Sequence, residues 1–269
     1  MEERLRSLKQ ILAGIGPSVV AFSGGVDSTF LLRVAHEVLG DGVSAVTAVS
    51  PSLAASEREE AEALARLIGV RHRLVGTDEL LDPGYVRNNG RRCYFCKREL
   101  FRVMRALAPA TGGLALLYGA IPDDLGEDRP GMIAAAESGV RAPLIEAGLT
   151  KVMIRALSRL MGLPTWDKPA MACLASRIPQ STPVTVEALG RVEGAESAVR
   201  ALGYRQVRVR YHGETARVEL GLTELPRALT APGRDALVAA VRAAGFAHVD
   251  IDPLGYRGGR AGVSTPVTS

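Results

Sequence analysis

The chain has 269 residues, 47% of them hydrophobic and 23% charged, with a formal net charge of +4. That length suits one large or two medium domains with proper hydrophobic cores, in an ordinary globular composition. No apolar run reaches the roughly 18 residues of a membrane span, and three cysteines are too few for a disulfide scaffold.

The charge permits an anionic ligand without demanding nucleic acid. Among 33 basic residues only Lys9, Lys97, Lys151 and Lys168 are lysines. Arginine's planar fork suits phosphate and carboxylate, although so broad a skew more often reflects base composition than function. The opening MEERLRSLKQ has the patterning of a polar helix rather than a signal peptide, so a cytoplasmic setting is expected.

In chain order, SVVAFSGG (18–25) reads as a buried strand ending in a glycine turn, and DSTFLLRVAHEVLG (27–40) as a helix. VSAVTAVS (43–50) is a second strand. Ser56 and Glu59 form a capping-box pattern at the head of the next helix, EREEAEALARLIGV. HRLVG is a short third strand, CKRELFRVMRALA a helix, LALLYGA (114–120) a fourth strand, and 150–162 a helix stopped by Gly162 and Pro164. Strands separated by helices predict parallel pairing in a doubly wound α/β sheet over 1–165.

The pattern then changes. Residues 166–183, rich in proline and carrying Cys173, read as a linker. Beyond it, over 184–257, come a helix (roughly 184–202), the strands QVRVRYH and ARVEL, the helix GRDALVAAVRAAG and the strand AHVDID. These predict a smaller C-terminal α+β domain, followed by a flexible tail at 258–269.

The strongest chemical signal is AFSGGVDST (21–29). Glycines let the backbone turn sharply and present N–H groups, and a helix start adds unpaired donors and a positive dipole end. Ser23 and Ser28 supply hydroxyls, and Asp27 is suited to a magnesium ion bridging phosphate oxygens. The plain alternative is one more glycine turn between strand and helix. No G-x-x-x-x-G-K-[ST] occurs, so this is not a Walker loop. The run Ser23-Gly24-Gly25-Val26-Asp27-Ser28 instead resembles the loop of the PP-loop ATP pyrophosphatases, of the adenine nucleotide alpha hydrolase-like fold. That resemblance implies cleavage of ATP between its α and β phosphates, adenylation of a carbonyl or carboxylate oxygen, and release of pyrophosphate.

Four further stretches narrow the field: NNGRRCYFCKRELF, GAIPDDLGEDRPG, KPAMACLASRIPQSTPVT and VRVRYHGETARVEL. Together they resemble the LarE family of ATP-dependent sulfur transferases, which help build the nickel-pincer nucleotide cofactor of lactate racemase. The resemblance runs from Ser23 to the LGYRGGR near the end of the chain. It implies a small-molecule substrate, a nicotinate-derived mononucleotide whose pyridinium carboxylate is adenylated and then converted to a thiocarboxylate, with Cys173 as the sulfur-bearing residue. It also implies a homo-oligomer.

Cys93 and Cys96 depart from the single-cysteine pattern of that family's best-known members, in which one cysteine gives up its own sulfur and is left as dehydroalanine. Three thiolates suit a 4Fe-4S cluster with one iron lacking a protein ligand, and three-cysteine relatives are understood to carry an extra sulfide there, which implies an external sulfide source. Zinc, which usually takes four protein ligands in a structural site, a redox dithiol and a sacrificial Cys173 remain the alternatives.

Arg208 and Arg210 lie two apart on one strand, hence on one face. With Glu196 one helix earlier, the resemblance puts them near a substrate phosphate or metal, although Glu196 alone would read as a surface charge. Ser176 and Arg177 follow Cys173 closely enough to orient substrate or the AMP phosphate. Asp128 and Arg129 follow the fourth strand, on the carboxyl edge where open α/β sheets bind ligands, with a plain acidic turn as the competitor. A tRNA thiolase would share loop and cluster but calls for a broad basic surface, so no nucleic-acid partner is expected. A non-catalytic ATP and iron–sulfur sensor is the rival from another class.

Overall fold

In a computed structural model of the chain, residues 1–107, 113–125, 129–169 and 172–256 are described. They form two compact units, one of Met1–Asp82 and Arg91–Met171, the other of Pro83–Gly90 and Ala172–Ser269. Among the described residues no helix is long and apolar enough to cross a membrane.

The first unit runs α1 (Glu2–Ile15), β1 (Ser18–Ala21), α2 (Val26–Leu39), β2 (Val43–Val49), α3 (Ala55–Ile68) and β3 (Arg71–Gly76). After α4 (Pro83–Val86), which belongs to the second unit, it resumes with α5 (Arg92–Leu107), β4 (Ala115–Tyr118), α6 (Pro130–Glu137), α7 (Pro143–Glu146) and α8 (Lys151–Leu160). Its strands are all parallel in the order β3-β2-β1-β4. Alternate strand residues point to opposite faces. Val20, Val43, Ala45 and Leu117 pack with α1, α2, α3 and α8, while Val19, Ala21, Val46 and Leu116 pack with α5 and α6. This is the doubly wound α/β fold expected, and its strand order reverses between β1 and β4, the switch point where such sheets bind ligands.

Two local expectations are corrected. Helix α3 begins at Ala55, with Ala54 as an extended N-cap that has no side-chain hydrogen bond, so Ser56 lies inside the first turn and forms no capping box. The Glu57 and Arg58 N–H groups go to the Ala54 carbonyl instead (3.0 and 3.1 Å). Helix α5 begins four positions before the expected Cys96, because nothing between Gly90 and Cys96 breaks a helix.

The second unit carries α9 (Val186–Ala201), β5 (Val207–His212), β6 (Thr215–Leu220), α10 (Leu225–Leu229), α11 (Ala231–Ala243) and β7 (His248–Ile251). Strand β5 pairs antiparallel with β6, and β6 parallel with β7. The excursion at Pro83–Gly90 staples the loop that follows Cys173. Asn88, buried with φ 51°, donates through Nδ2 to the carbonyls of Ile178, Pro179 and Thr182 (3.3, 2.8 and 3.0 Å). Its own carbonyl accepts from the Ser181 N–H (3.1 Å), and that of Val86 accepts from Val184 (2.9 Å).

At the switch point Gly119 lets the end of β4 lie against the start of α2. A Cβ there would meet Ser28 N at 3.0 Å, Ser28 Cα at 3.1 Å and Asp27 C at 3.2 Å, all backbone. Gly119→Ala is therefore expected to destabilise by about 1–3 kcal/mol, the usual cost of overpacking, in denaturant unfolding. An unchanged midpoint would mean that the two segments separate freely.

Candidate active site

The Ser23–Ser28 loop links β1 to α2. Gly24 takes φ 67°, a left-handed turn that favours glycine, and Gly25 is the extended N-cap. Ser28 Oγ donates back to the Gly25 carbonyl (3.2 Å), which leaves Ser23 Oγ to donate to Ser28 Oγ at 3.2 Å. The Gly25 N–H reaches Ser23 Oγ at 3.4 Å. The loop is thus shaped by its own hydroxyls, with the first-turn N–H groups of α2 directed off the helix start.

Asp27 is ion-paired through Oδ2 with Lys151. Its Oδ1 is buried and, among the described residues, has no hydrogen-bond partner. A hard anionic oxygen without a donor fits a magnesium ion. Lys168 Nζ donates to the Gly24 carbonyl (3.0 Å) and pairs with Glu60 (2.8 Å). Of the expected residues after β4, Arg129 pairs with Asp124 (2.7 Å), and Asp128 lies outside the described residues.

In the second unit Cys173 is exposed and caps a single 3-10 turn, Leu174–Arg177. Arg177 is 1% exposed. Its Nε and Nη2 grip both oxygens of Glu196 (2.8 and 3.1 Å). Its Nη1 donates to the carbonyls of Ala172 and Cys173 (2.9 Å to the latter) and to Ser176 Oγ (3.2 Å). The guanidinium is committed to the protein, and what it orients directly is the backbone carrying Cys173.

Glu196 is fully buried on α9, not a surface charge. Besides Arg177 it accepts from Arg200 Nη2 (2.7 Å) and the Val209 N–H (3.1 Å). On β5, Arg210 donates to both oxygens of Glu219 (3.0 Å each) and to the Ser176 carbonyl (3.1 Å). Arg208 is buried with its guanidinium 5.4 Å from the Tyr256 ring centroid. Cys173, Ser176, Arg177, Glu196 and Arg210 therefore form one continuous network, with Arg208 on the same strand face.

Cys93 and Cys96 occupy one face of α5, in the first unit, at a spacing that puts Cβ atoms about 5–6 Å apart. Cys93 is exposed and Cys96 half-buried. Two thiols so spaced suit neighbouring irons of one cluster. Cys173 belongs to the second unit. Within each unit, among the described residues, no three His, Cys, Asp or Glu side chains are grouped to hold a metal.

Sequence reasoning missed Lys151, Lys168, Gly119 and Asn88. The scarcity of lysine was the one available signal, since two of only four converge on the loop.

Burial pushes the Glu196 carboxyl up, but the hydrogen bond and charge of Arg177, the charge of Arg200 and the Val209 N–H together hold it below the ordinary carboxylate range. A depressed native value contributes stability that is present above the unfolded value of about 4.3 and is lost as pH falls through the folded one. Glu196→Gln is expected to cost about 3–5 kcal/mol near neutral pH, because it strands buried Arg177, and to flatten the acid limb of the stability–pH curve. A variant with wild-type stability and an unaltered acid limb would show that the carboxylate is not the anchor.

No protein-family model matches the chain. It is 36% identical over 242 residues, 90% of this chain and 87% of the relative, to the pyridinium-3,5-bisthiocarboxylic acid mononucleotide synthase of Lactiplantibacillus plantarum. It is 44% identical over 260 residues, 97% of each chain, to an uncharacterized protein of Synechocystis. An uncharacterized protein of Methanocaldococcus jannaschii is 23% identical over 202 residues, 75% of this chain and 77% of the relative. Near-complete coverage at this identity, on the parallel sheet and second small domain described above, makes the chain a member of the LarE family.

Proposed function

We propose that the chain is an ATP-dependent sulfur transferase that converts a pyridinium carboxylate of a nicotinate-derived mononucleotide to a thiocarboxylate. The observation that carries this reading is the 36% identity, over nine-tenths of the chain, to a protein named as a synthase of such a bisthiocarboxylic acid. A carboxylate carbon resists a sulfur nucleophile because its oxygen is a poor leaving group. In the proposed route a carboxylate oxygen attacks the α-phosphorus of ATP and pyrophosphate departs. A sulfur nucleophile then attacks the carbonyl carbon, and AMP leaves with the former carboxylate oxygen.

Each group of residues has a part suited to its chemistry. The N–H groups and hydroxyls of Ser23–Ser28 hold the departing pyrophosphate, and Asp27 Oδ1 would hold a magnesium ion that neutralises its charge. Arg129 serves the nucleotide on the same edge. Arg208, Arg210 and Glu196 form the substrate-phosphate end, where the arginines supply positive charge, Arg210 keeps its fork on Glu219, and Glu196 acts through Arg177. Arg177 and Ser176 set the position of Cys173.

Cys93, Cys96 and Cys173 supply three thiolates, the ligand set of a 4Fe-4S cluster with one iron left open. Bound there, such a cluster would carry a sulfide from an external source to the adenylate, sparing Cys173 and allowing turnover. The substrate is a small nucleotide, no nucleic acid is required, and the working form is a homo-oligomer.

The test is anaerobic incubation with ATP, magnesium, sulfide and the dicarboxylated nucleotide, with mass spectrometry of product and protein. Several thiocarboxylates per chain with Cys173 intact are expected. One product per chain, with Cys173 left as dehydroalanine, would replace the cluster route by sacrificial donation. No pyrophosphate with any carboxylated nucleotide would overturn the adenylating reading altogether.

A further inference from the structure

Two of the four lysines meet the Ser23–Ser28 loop, and they are held differently. Lys168 is 13% exposed at its side chain, with Nζ on the Gly24 carbonyl and Glu60. Its segment is pinned by Arg155, which donates to the carbonyls of Trp166 (2.7 Å) and Lys168 (2.8 Å), and by Arg159 over the Trp166 ring at 4.9 Å. Lys151 opens α8, where its N–H is received by Asp123 Oδ2 (3.1 Å). Its side chain is 36% exposed, and among the described residues its ammonium is placed on one side-chain acceptor, Asp27 Oδ2. Asp27 Oδ1, the other oxygen of that carboxylate, has no partner among the described residues.

We propose that Lys151 is a ligand of the loop's anion held in reserve on Asp27, and that a divalent cation takes its place there when the polyphosphate arrives. The proposal rests on the loop being a phosphate site. Without an anion, a divalent cation beside the ammonium would set three positive charges against one carboxylate, so the empty loop rejects it. A polyphosphate reverses that balance. Asp27 and the phosphate oxygens would then hold the cation, and the ammonium swings to the phosphate. Lysine suits this task, being a compact charge with three donors on a flexible stem, and its partial exposure leaves room for the swing. Lys168, less exposed and bonded to a backbone carbonyl as well as to Glu60, is instead a fixed charge. Lys151 is thus a positioning residue in the free protein and a ligand in the loaded one.

Two measurements on the purified full chain test the exchange: calorimetric binding of magnesium pyrophosphate, and thermal unfolding with manganese alone. Wild-type protein is expected to bind magnesium pyrophosphate and to show no manganese-dependent rise in melting temperature. Lys151→Met should bind pyrophosphate roughly tenfold or more weakly and should now be stabilised by manganese alone. Lys151→Gln keeps a donor for Asp27, which guards against loss of folding, and should show the same weakening. Lys151→Arg should recover most of the affinity.

Wild-type pyrophosphate affinity in both neutral variants would overturn the proposal while leaving the phosphate site standing. So would a manganese response in the wild type equal to that of Lys151→Met. Failure of the wild type to bind either pyrophosphate or ATP would remove the phosphate-site reading, and the exchange with it.

Discussion

Glu196 is a carboxylate with no access to water, and the geometry around Cys173 depends on how its charge is met. Two donors come from Arg177, one from Arg200 and one from the Val209 backbone. They tie the 3-10 turn and the outer edge of β5 to α9. Ion pairs of this kind are weak sources of stability, since apolar packing of equal volume often serves as well. What this one sets is position. Arg177 faces Glu196 with one side of its fork and the carbonyls of Ala172 and Cys173 with the other. Cys173 stays exposed, while the backbone that carries it is fixed from within.

The two units handle positive charge in contrasting ways. Around Cys173 it is carried by arginines whose planar forks are matched to carboxylates: Arg177 to Glu196, and Arg210 to Glu219. Such pairs hold direction as well as charge. Around the Ser23–Ser28 loop it is carried by the ammonium groups of Lys151 and Lys168, which have charge without a fixed plane. The first arrangement holds the backbone around Cys173 in one direction, whereas the second puts charge beside the loop without fixing a plane.

The sheet was legible because buried parallel strands read as short apolar runs, and Gly24 announced the loop because only a turn residue serves there. Helix boundaries were less legible. Ser56 carries a capping pattern, but the helix had already begun at Ala55. Glu196 shares the buried stripe of α9 with Val192, Ala195 and Val199. A glutamate there still reads as a surface charge because, apart from Arg200 four residues on, the donors that meet its charge come from Arg177 and from a strand beyond the next turn. Asn88 and Lys168 are hidden for the same reason: each acts on carbonyls far away in sequence. The residues that shape these sites are set by long-range polar contacts, whereas sequence patterns mainly report local ones.

In the proposed reaction a carboxylate oxygen becomes the leaving group by passing onto AMP. The most direct measurement uses substrate labelled with oxygen-18 in its pyridinium carboxylates and follows the label by mass spectrometry after turnover. One labelled oxygen in AMP for each thiocarboxylate formed, and none in pyrophosphate, is expected. Label in orthophosphate with ADP as the nucleotide product, or in neither fragment, would contradict it.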